Sequence, residues 1–272
     1  MNNSKRPILI GFGSVKGGVG KSSISEIFSS YLSYGLCKRI MVYDLDEGQY
    51  SFWNLREREL KVLFDENVSD PKSMHSHFAG LVSKSLDNSP GKEPYKICKS
   101  TCTKILEEFE NIYHNDDYDY IIFDLPGRFT DDSLVRLSLC LDYIVSPIEA
   151  DKQSLSASML YVTSILKIIK GSNDYNLKQL FVFWNKVDNR MRPTLIDKYS
   201  ESFSKLGLIQ MSTRLPMLSR YSKEFSLVDK EVFRSTLLTP DTRSLKGTNF
   251  KEFADELIER VLYYTRLDAN ER

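Results

Sequence analysis

The 272-residue sequence has no apolar run approaching the ~20 residues that a membrane-spanning helix needs. It also has no excess of either charge, because 37 Lys and Arg balance 37 Asp and Glu. Nothing global therefore draws the chain to nucleic acid or to an anionic membrane, and any such contact must come from a local patch. Cysteine is scarce and scattered, at Cys37, Cys98, Cys102 and Cys140, which reads as reduced thiols in a cytosolic protein. Cys98 and Cys102 are expected on one helix with His75 and His77 nearby in sequence, but this spacing matches no common zinc site. Lys5 and Arg6 precede an apolar stretch in the manner of a secretion signal. That stretch is too short and runs straight into a glycine-rich loop, so no signal peptide is expected. Composition is otherwise ordinary, and the length suffices for a substantial core in one large domain or two small ones.

What the sequence does have is concentrated near its start. Lys16-Gly17-Gly18-Val19-Gly20-Lys21-Ser22-Ser23 follows an apolar run at 8–13 and precedes apolar residues at helical spacing, Ile24, Ile27, Phe28, Tyr31 and Leu32. Strand, glycine-rich turn and helix in that order form the context in which a phosphate-loop match has a mechanism. Glycines let backbone N–H groups close on an anion, and the helix N-terminus adds partial positive charge. Lys21 would reach the β- and γ-phosphates, and the Ser22 hydroxyl would hold Mg²⁺. The general pattern has glycine six residues before the lysine, where this chain has Val15, and Lys16 is an additional cation just inside that position. This arrangement resembles the deviant Walker motif of the ParA/MinD family of ATPases. The resemblance implies that Lys16 crosses a dimer interface to the nucleotide of the partner subunit, and that residues 16–23 all line the nucleotide.

Further along, residues 39–44 read as a second strand ending in Asp44-Leu45-Asp46. Carboxylates at the C-terminal end of a parallel strand face the ligand crevice of a doubly wound sheet. By resemblance, Asp46 helps position the attacking water. Gln49 and Ser51 match the residues that come after these aspartates in ParA proteins, whereas the family's proline is absent and Arg56-Glu57-Arg58-Glu59 is added. That variant is similar to ParA-type ATPases of Bacteroides-like plasmids and conjugative transposons. Taken alone, the charged run is expected to be a solvated helix face with paired charges one turn apart. Residues 61–94 carry turn signals around one helical pattern at 74–86 and match no motif, so a pair of surface helices is expected there, with a lid or partner-binding insertion as the alternative.

Helical periodicity returns over 97–113, and residues 118–127 form a buried strand ending in Asp124-Leu125-Pro126-Gly127. The resemblance makes this the Walker B strand and switch region, with Asp124 holding a water bound to Mg²⁺. A strand at 142–148, a cap at 149–151 and a helix at 153–170 stopped by Gly171 come next. A strand at 180–184 leads to Asn185-Lys186-Val187-Asp188. Two readings compete there: the guanine-reading motif of GTPases, or the polar strand end where ParA/MinD proteins bond adenine. The continuation through Arg190 and Arg192 favours the second. A helix at 194–206, a strand at 208–213 and a loop at Leu215-Pro216 complete the resemblance, which places Pro216 in the base pocket. A final helix is expected at 249–267. The chain ends Leu267-Asp268-Ala269-Asn270-Glu271-Arg272, which is not the basic amphipathic membrane anchor of MinD-type proteins.

The expectation is an α/β chain with a doubly wound, mostly parallel sheet and helices on both faces, one nucleotide-binding domain over residues 1–272 with a poorly matched insertion at 61–94. By resemblance it is an ATP- and Mg²⁺-dependent ATPase of the bacterial cytoplasm, associated with the nucleoid and not with a membrane. It would dimerise on ATP, bind DNA without sequence preference and answer to a ParB-like activating partner, so as to segregate or position a plasmid or mobile element. Arg190, Arg192, Arg220, Lys223 and Arg243 are the candidate DNA contacts. A GTPase of the same fold and a nucleotide-binding, non-catalytic scaffold in conjugation remain as alternatives. An iron–sulfur carrier would want cysteines at a subunit interface, which Cys98 and Cys102, outside the matched stretches, do not supply.

Overall fold

The apolar runs of the sequence become the centre of a sheet. The computed structural model describes residues 6–64, 73–128, 132–149, 152–171, 175–188, 190, 193–226 and 231–271. The turns expected at 65–67 and 69–71, part of the cap expected at 149–151, and Arg192 lie outside the described residues. In chain order the elements are β1 (Ile8–Phe12), α1 (Lys21–Ser30), β2 (Ile40–Asp44), α2 (Ser51–Leu63), α3 (Met74–Leu86), β3 (Lys96–Lys99), α4 (Cys102–Glu107) and α5 (Phe109–Tyr113). They continue with β4 (Tyr120–Asp124), α6 (Ser133–Cys140), β5 (Tyr143–Ile148), α7 (Lys152–Gly171), β6 (Gln179–Trp184), α8 (Pro193–Lys205), β7 (Ile209–Gln210), α9 (Thr242–Leu245) and α10 (Phe250–Glu271). Among the described residues no helix is long and apolar enough to cross a membrane.

All strand pairs are parallel, in the order β3-β2-β4-β1-β5-β6-β7. Parallel strands covered on both faces read as continuous apolar runs, because both sets of alternating side chains are buried. The alternation sorts them cleanly. Ile8, Ile10 and Phe12 pack with α1 and with Phe250, Phe253 and Leu257 of α10. Leu9 points the other way, with Ile105 of α4, Leu137 of α6, Val162 of α7 and Phe203 of α8. This is the doubly wound arrangement expected of the sequence.

Strand order reverses around β1, which lies between β4 and β5, and that reversal opens a crevice at the C-terminal ends of the strands. Register decides what meets there: Phe12 pairs with Asp124, and Asp44 pairs with Asp124. The glycine-rich loop and both carboxylate-bearing strand ends therefore arrive at one level.

Several expectations are corrected. Cys98 and Cys102 do not share a helix, since Cys98 lies in β3 and Cys102 opens α4. The Thr101 hydroxyl accepts from the Lys104 N–H and starts that helix, cutting the apparent period of 97–113 in two. The strand expected at 208–213 shrinks to β7, although Met211 still donates to Val182 O at 2.8 Å. α7 includes Gly171 rather than ending before it. The charged run of α2 is not a wholly solvated face, because Arg56 and Glu59 are buried while Arg58 is exposed. Where a pair of surface helices is expected at 61–94, the described residues hold the end of α2, one further α-helix, α3, and a short 3₁₀ turn at Pro90–Lys92. Phe78 and Val82 of that helix pack against Val232, Leu237 and Leu238 in a small core of their own.

Candidate functional site

The loop between β1 and α1 needs glycine for two separate reasons. Gly18 and Gly20 have φ of +82° and +87°, a region that L side chains rarely adopt. A Cβ on Gly20 would also lie 2.4 Å from the Asn185 side-chain nitrogen, which comes from the end of β6 and donates to Val19 O at 2.7 Å. Asn185 is thus stitched to the back of the loop. Lys186 adds a second stitch, bonding Gly18 O and pairing with Glu149 at 2.7 Å.

Lys21 is only 5% exposed, and its ammonium lies 2.9 Å from Asp124 Oδ1, 3.3 Å from the Ser22 hydroxyl and 3.7 Å from Asp46 Oδ2. Asp124 ends β4 wholly buried, and its Oδ2 has no hydrogen-bond partner among the described residues. Asp44 accepts from the Trp53 N–H at 3.0 Å, and burial, with repulsion from Asp124, pushes its carboxyl up to about 6. A Cβ on Gly127 would stand 3.8 Å from Asp46 Oδ2 and 3.9 Å from Gly17, so the turn after β4 closes directly on the loop.

Two cavities meet over this cluster. One, of about 480 Å³, is lined by Lys16, Gly17, Lys21, Ser22, Asp46 and Gly127, with Arg128 and Arg234 at its wall. The other, of about 680 Å³, is lined by Ile24, Asn185, Asp188, Pro216, Met217 and Tyr221. Gly20, Ser23, Lys186 and Ser222 border both, so they form one cleft with a cationic end and a more apolar end. Pro216 reaches its place because Val187 pairs with it in a parallel bridge, flanked by Val187 N–H to Leu215 O at 3.0 Å and Met217 N–H to Val187 O at 2.9 Å. Charge at one end and apolar wall at the other suit a nucleoside phosphate. The donor set also fits Mg²⁺: oxygen ligands only, a hydroxyl beside the expected phosphates, and a buried carboxylate oxygen without a hydrogen-bond partner among the described residues.

The structure thus brings together Lys16, Gly17, Gly18, Gly20, Lys21, Ser22, Ser23, Asp46, Asn185 and Pro216 around one cleft, with Val19 buried behind it and Asp124 beneath it. Of the candidate DNA contacts among the described residues, it groups Arg220, Lys223 and Arg243. Arg190 lies on the cleft and grips both Asp188 oxygens at 2.7–3.2 Å. Arg220 and Lys223 both pair with Glu231, at 2.8 and 2.6 Å, and Arg243 is exposed nearby on a cavity that Arg220 also lines. Sequence reasoning missed Arg234 at the cationic end and the bracing role of Lys186. Lys186 sits inside a recognisable motif, whereas Arg234 carries no local signal.

A family model described as ATPase MipZ matches residues 8–154, a little over half of the chain. Among solved structures the chain is similar to pNOB8 ParA bound to nonspecific DNA, with 18% identity, 94% of this chain and 99% of that one covered, and a TM-score of 0.55. It is similar also to a plasmid partition protein from Borrelia burgdorferi B31 bound to AMPPNP, with 18% identity, 95% and 99% covered, and a TM-score of 0.53. At these identities the likeness shows the fold, that of the ParA/MinD group of phosphate-loop proteins. No curated protein matches the chain. The matched residues run from β1 through the phosphate loop, Asp44, Asp46 and Asp124 into α7, and they place the chain in the MipZ family of ATPases.

Proposed function

We propose that this chain binds and hydrolyses ATP, and that ATP assembles two copies into a sandwich which acts on DNA in plasmid or mobile-element partition. The observation that carries the reading is the convergence of Lys21, Ser22, Asp46 and Asp124 on a cavity continuous with the Asn185–Pro216 pocket. Without ligand, Lys21 spends its charge on Asp124 and Asp46. Triphosphate oxygens in the cavity compete for that ammonium, which frees Asp124 to accept from a water and leaves Asp46 to orient another toward the terminal phosphate. Mg²⁺ held by Ser22, and by Asp124 through water, would neutralise charge on the β- and γ-oxygens. Lys16 lines the cleft of its own chain and, by likeness to the ParA/MinD group, belongs to the partner's nucleotide in the dimer. An added cation at such a centre is worth about 10³–10⁵ in rate, so a lone subunit turns over slowly and association becomes the switch.

Adenine is favoured over guanine by the likeness to the Borrelia burgdorferi B31 partition protein, whose structure holds AMPPNP. Nonspecific DNA as target is supported by the likeness to pNOB8 ParA, whose structure holds such DNA. A ParB-like activator, a place on the bacterial nucleoid and kinship with conjugative-element proteins complete the reading. The last rests on Gln49, Ser51 and the charged run of α2. The whole chain acts as one domain, with α3 of the insertion packed against Val232, Leu237 and Leu238.

Calorimetric titration and phosphate release test this together. Lys21→Ala should abolish ATP binding. Asp46→Ala should keep ATP binding and ATP-dependent dimers in sedimentation while losing turnover. Unchanged ATP affinity in the first variant, or wild-type turnover in the second, overturns the assignment.

A further inference from the structure

Arg234 reaches the phosphate end of the cleft from a segment without any phosphate-binding motif. The segment is firmly anchored just after it. The Ser30 hydroxyl donates to Ser235 O at 2.6 Å, and the Tyr34 hydroxyl donates to Thr236 O at 2.9 Å. Arg56 of α2 donates to Thr236 O and to its hydroxyl at 2.8 Å each, and Glu59 accepts from the Thr236 N–H at 2.9 Å. The guanidinium is therefore delivered to its position by α1 and α2 together. There it bonds Glu26 through Nε and Nη2, with Nη1 3.4 Å from Glu224. Glu26 lies on α1, one turn beyond Ser22, and is wholly buried. A residue needed only to neutralise Glu26 has no reason to face the cavity that Lys16, Lys21 and Ser22 line.

We propose that Arg234 is a phosphate-contacting residue supplied by the same chain, held by Glu26 until a triphosphate enters and then shared with the terminal phosphate. The proposal rests on the reading of the cleft as an ATP site and adds to it the means of telling ATP from ADP. A guanidinium carries five donors in a fixed fork, so it can keep one bond to Glu26 while turning others to phosphate oxygens. Its present partner is a weak competitor, since burial pushes the Glu26 carboxyl up to about 7 despite Arg234 itself. A terminal phosphate offers several charged acceptors where Glu26 offers one charge at most.

The test is a titration of the full chain with ATPγS and with ADP, each with Mg²⁺, read as the ratio of the ADP to the ATPγS dissociation constant. Glu26→Gln keeps the size of the side chain and removes its charge, which loosens the hold on the fork while Glu224 stays beside it, so the ratio should stay at or above the wild-type value. Arg234→Gln placed in that background leaves no buried unpaired charge, and the ratio should fall about tenfold, with ADP affinity nearly unchanged. A ratio that stays within about threefold of the Glu26→Gln value overturns the proposal. Should the double variant unfold on heating below assay temperature, Arg234→Lys retains a cation for Glu26 but loses the fork. Its ratio should fall severalfold, and an unchanged ratio is again fatal. Wild-type protein that binds neither nucleotide would sink the reading of the cleft itself. Wild-type protein that binds both, beside variants that discriminate equally well, sinks only the role of Arg234.

Discussion

Glu26 gives the residue scale its most direct pH test. Burial comes first among the causes that raise its carboxyl to about 7; Arg234 pulls it down, and Asp124 and Glu224 push it up further. A carboxyl that ionises near 7 in the folded chain and near its ordinary value of 4.5 in the unfolded chain binds protons more tightly when folded. Its contribution to stability is therefore full below about 4.5 and lost as pH climbs through about 7. Urea unfolding of the nucleotide-free protein should show wild type losing on the order of 1–3 kcal/mol between about pH 5 and about pH 8 relative to Glu26→Gln. Parallel pH profiles in the two proteins would remove Glu26 as a source of that slope. The same residue marks the limit of what can be read without coordinates. Lys21, Ser22 and Asp124 were legible because each sits at a fixed offset from a strand end or a glycine turn. Arg234 was not, because its partner lies 208 residues away and only the fold joins them.

At the scale of elements, the central strands were legible because burial on both faces leaves long unbroken apolar runs. Lys96-Ile97-Cys98-Lys99 broke that rule: β3 is an edge strand, paired with β2 alone, with exposed lysines at both ends and four residues in all. The charged run of α2 misled for a related reason. Its Arg56 and Glu59 look solvated in sequence, yet they turn inward to hold Thr236, a contact that no periodicity encodes. α3 was legible as a helix but not as a packing partner. Phe78 is fully buried against Val232, Leu237 and Leu238 and meets Phe225 at a tilt of 39° with ring centroids 4.5 Å apart. Phe78→Ala should cost about 3–5 kcal/mol, the usual loss for an aromatic side chain removed from a core. Hydrogen exchange locates the damage: amides of residues 232–238 should exchange faster, while those of β1, β4 and β5 keep their rank. A uniform rise across the sheet would instead make α3 part of the central core.

For the molecule as a whole, charge balance returns as a constraint on any encounter with DNA. Among the described residues the candidate cations do not form a bare patch, since Glu231 holds both Arg220 and Lys223, and Asp188 holds Arg190. Arg220 and Lys223 are each about one-third exposed, and ion pairs at such a surface contribute little, on the order of 0–1 kcal/mol, so a phosphate backbone can displace Glu231 from them. If the chain binds DNA as proposed, the carboxylate is a counterweight that would keep resting affinity low. Glu231→Gln should remove it, so ATP-loaded variant protein should bind duplex DNA more tightly than wild type at low salt. With that carboxylate gone, Lys223 and Arg220, which also donates to the Ser244 and Lys246 carbonyls, would be held less strongly away from phosphates, and the dependence of log affinity on log salt should steepen by up to ~0.9 for each further phosphate neutralised. A dimer doubles the number of such sites, so the change should be larger with ATP than without it. An unchanged slope in the presence of ATP would show that Arg220 and Lys223 face away from DNA. Arg243, exposed beside them, would then be the next cation to substitute.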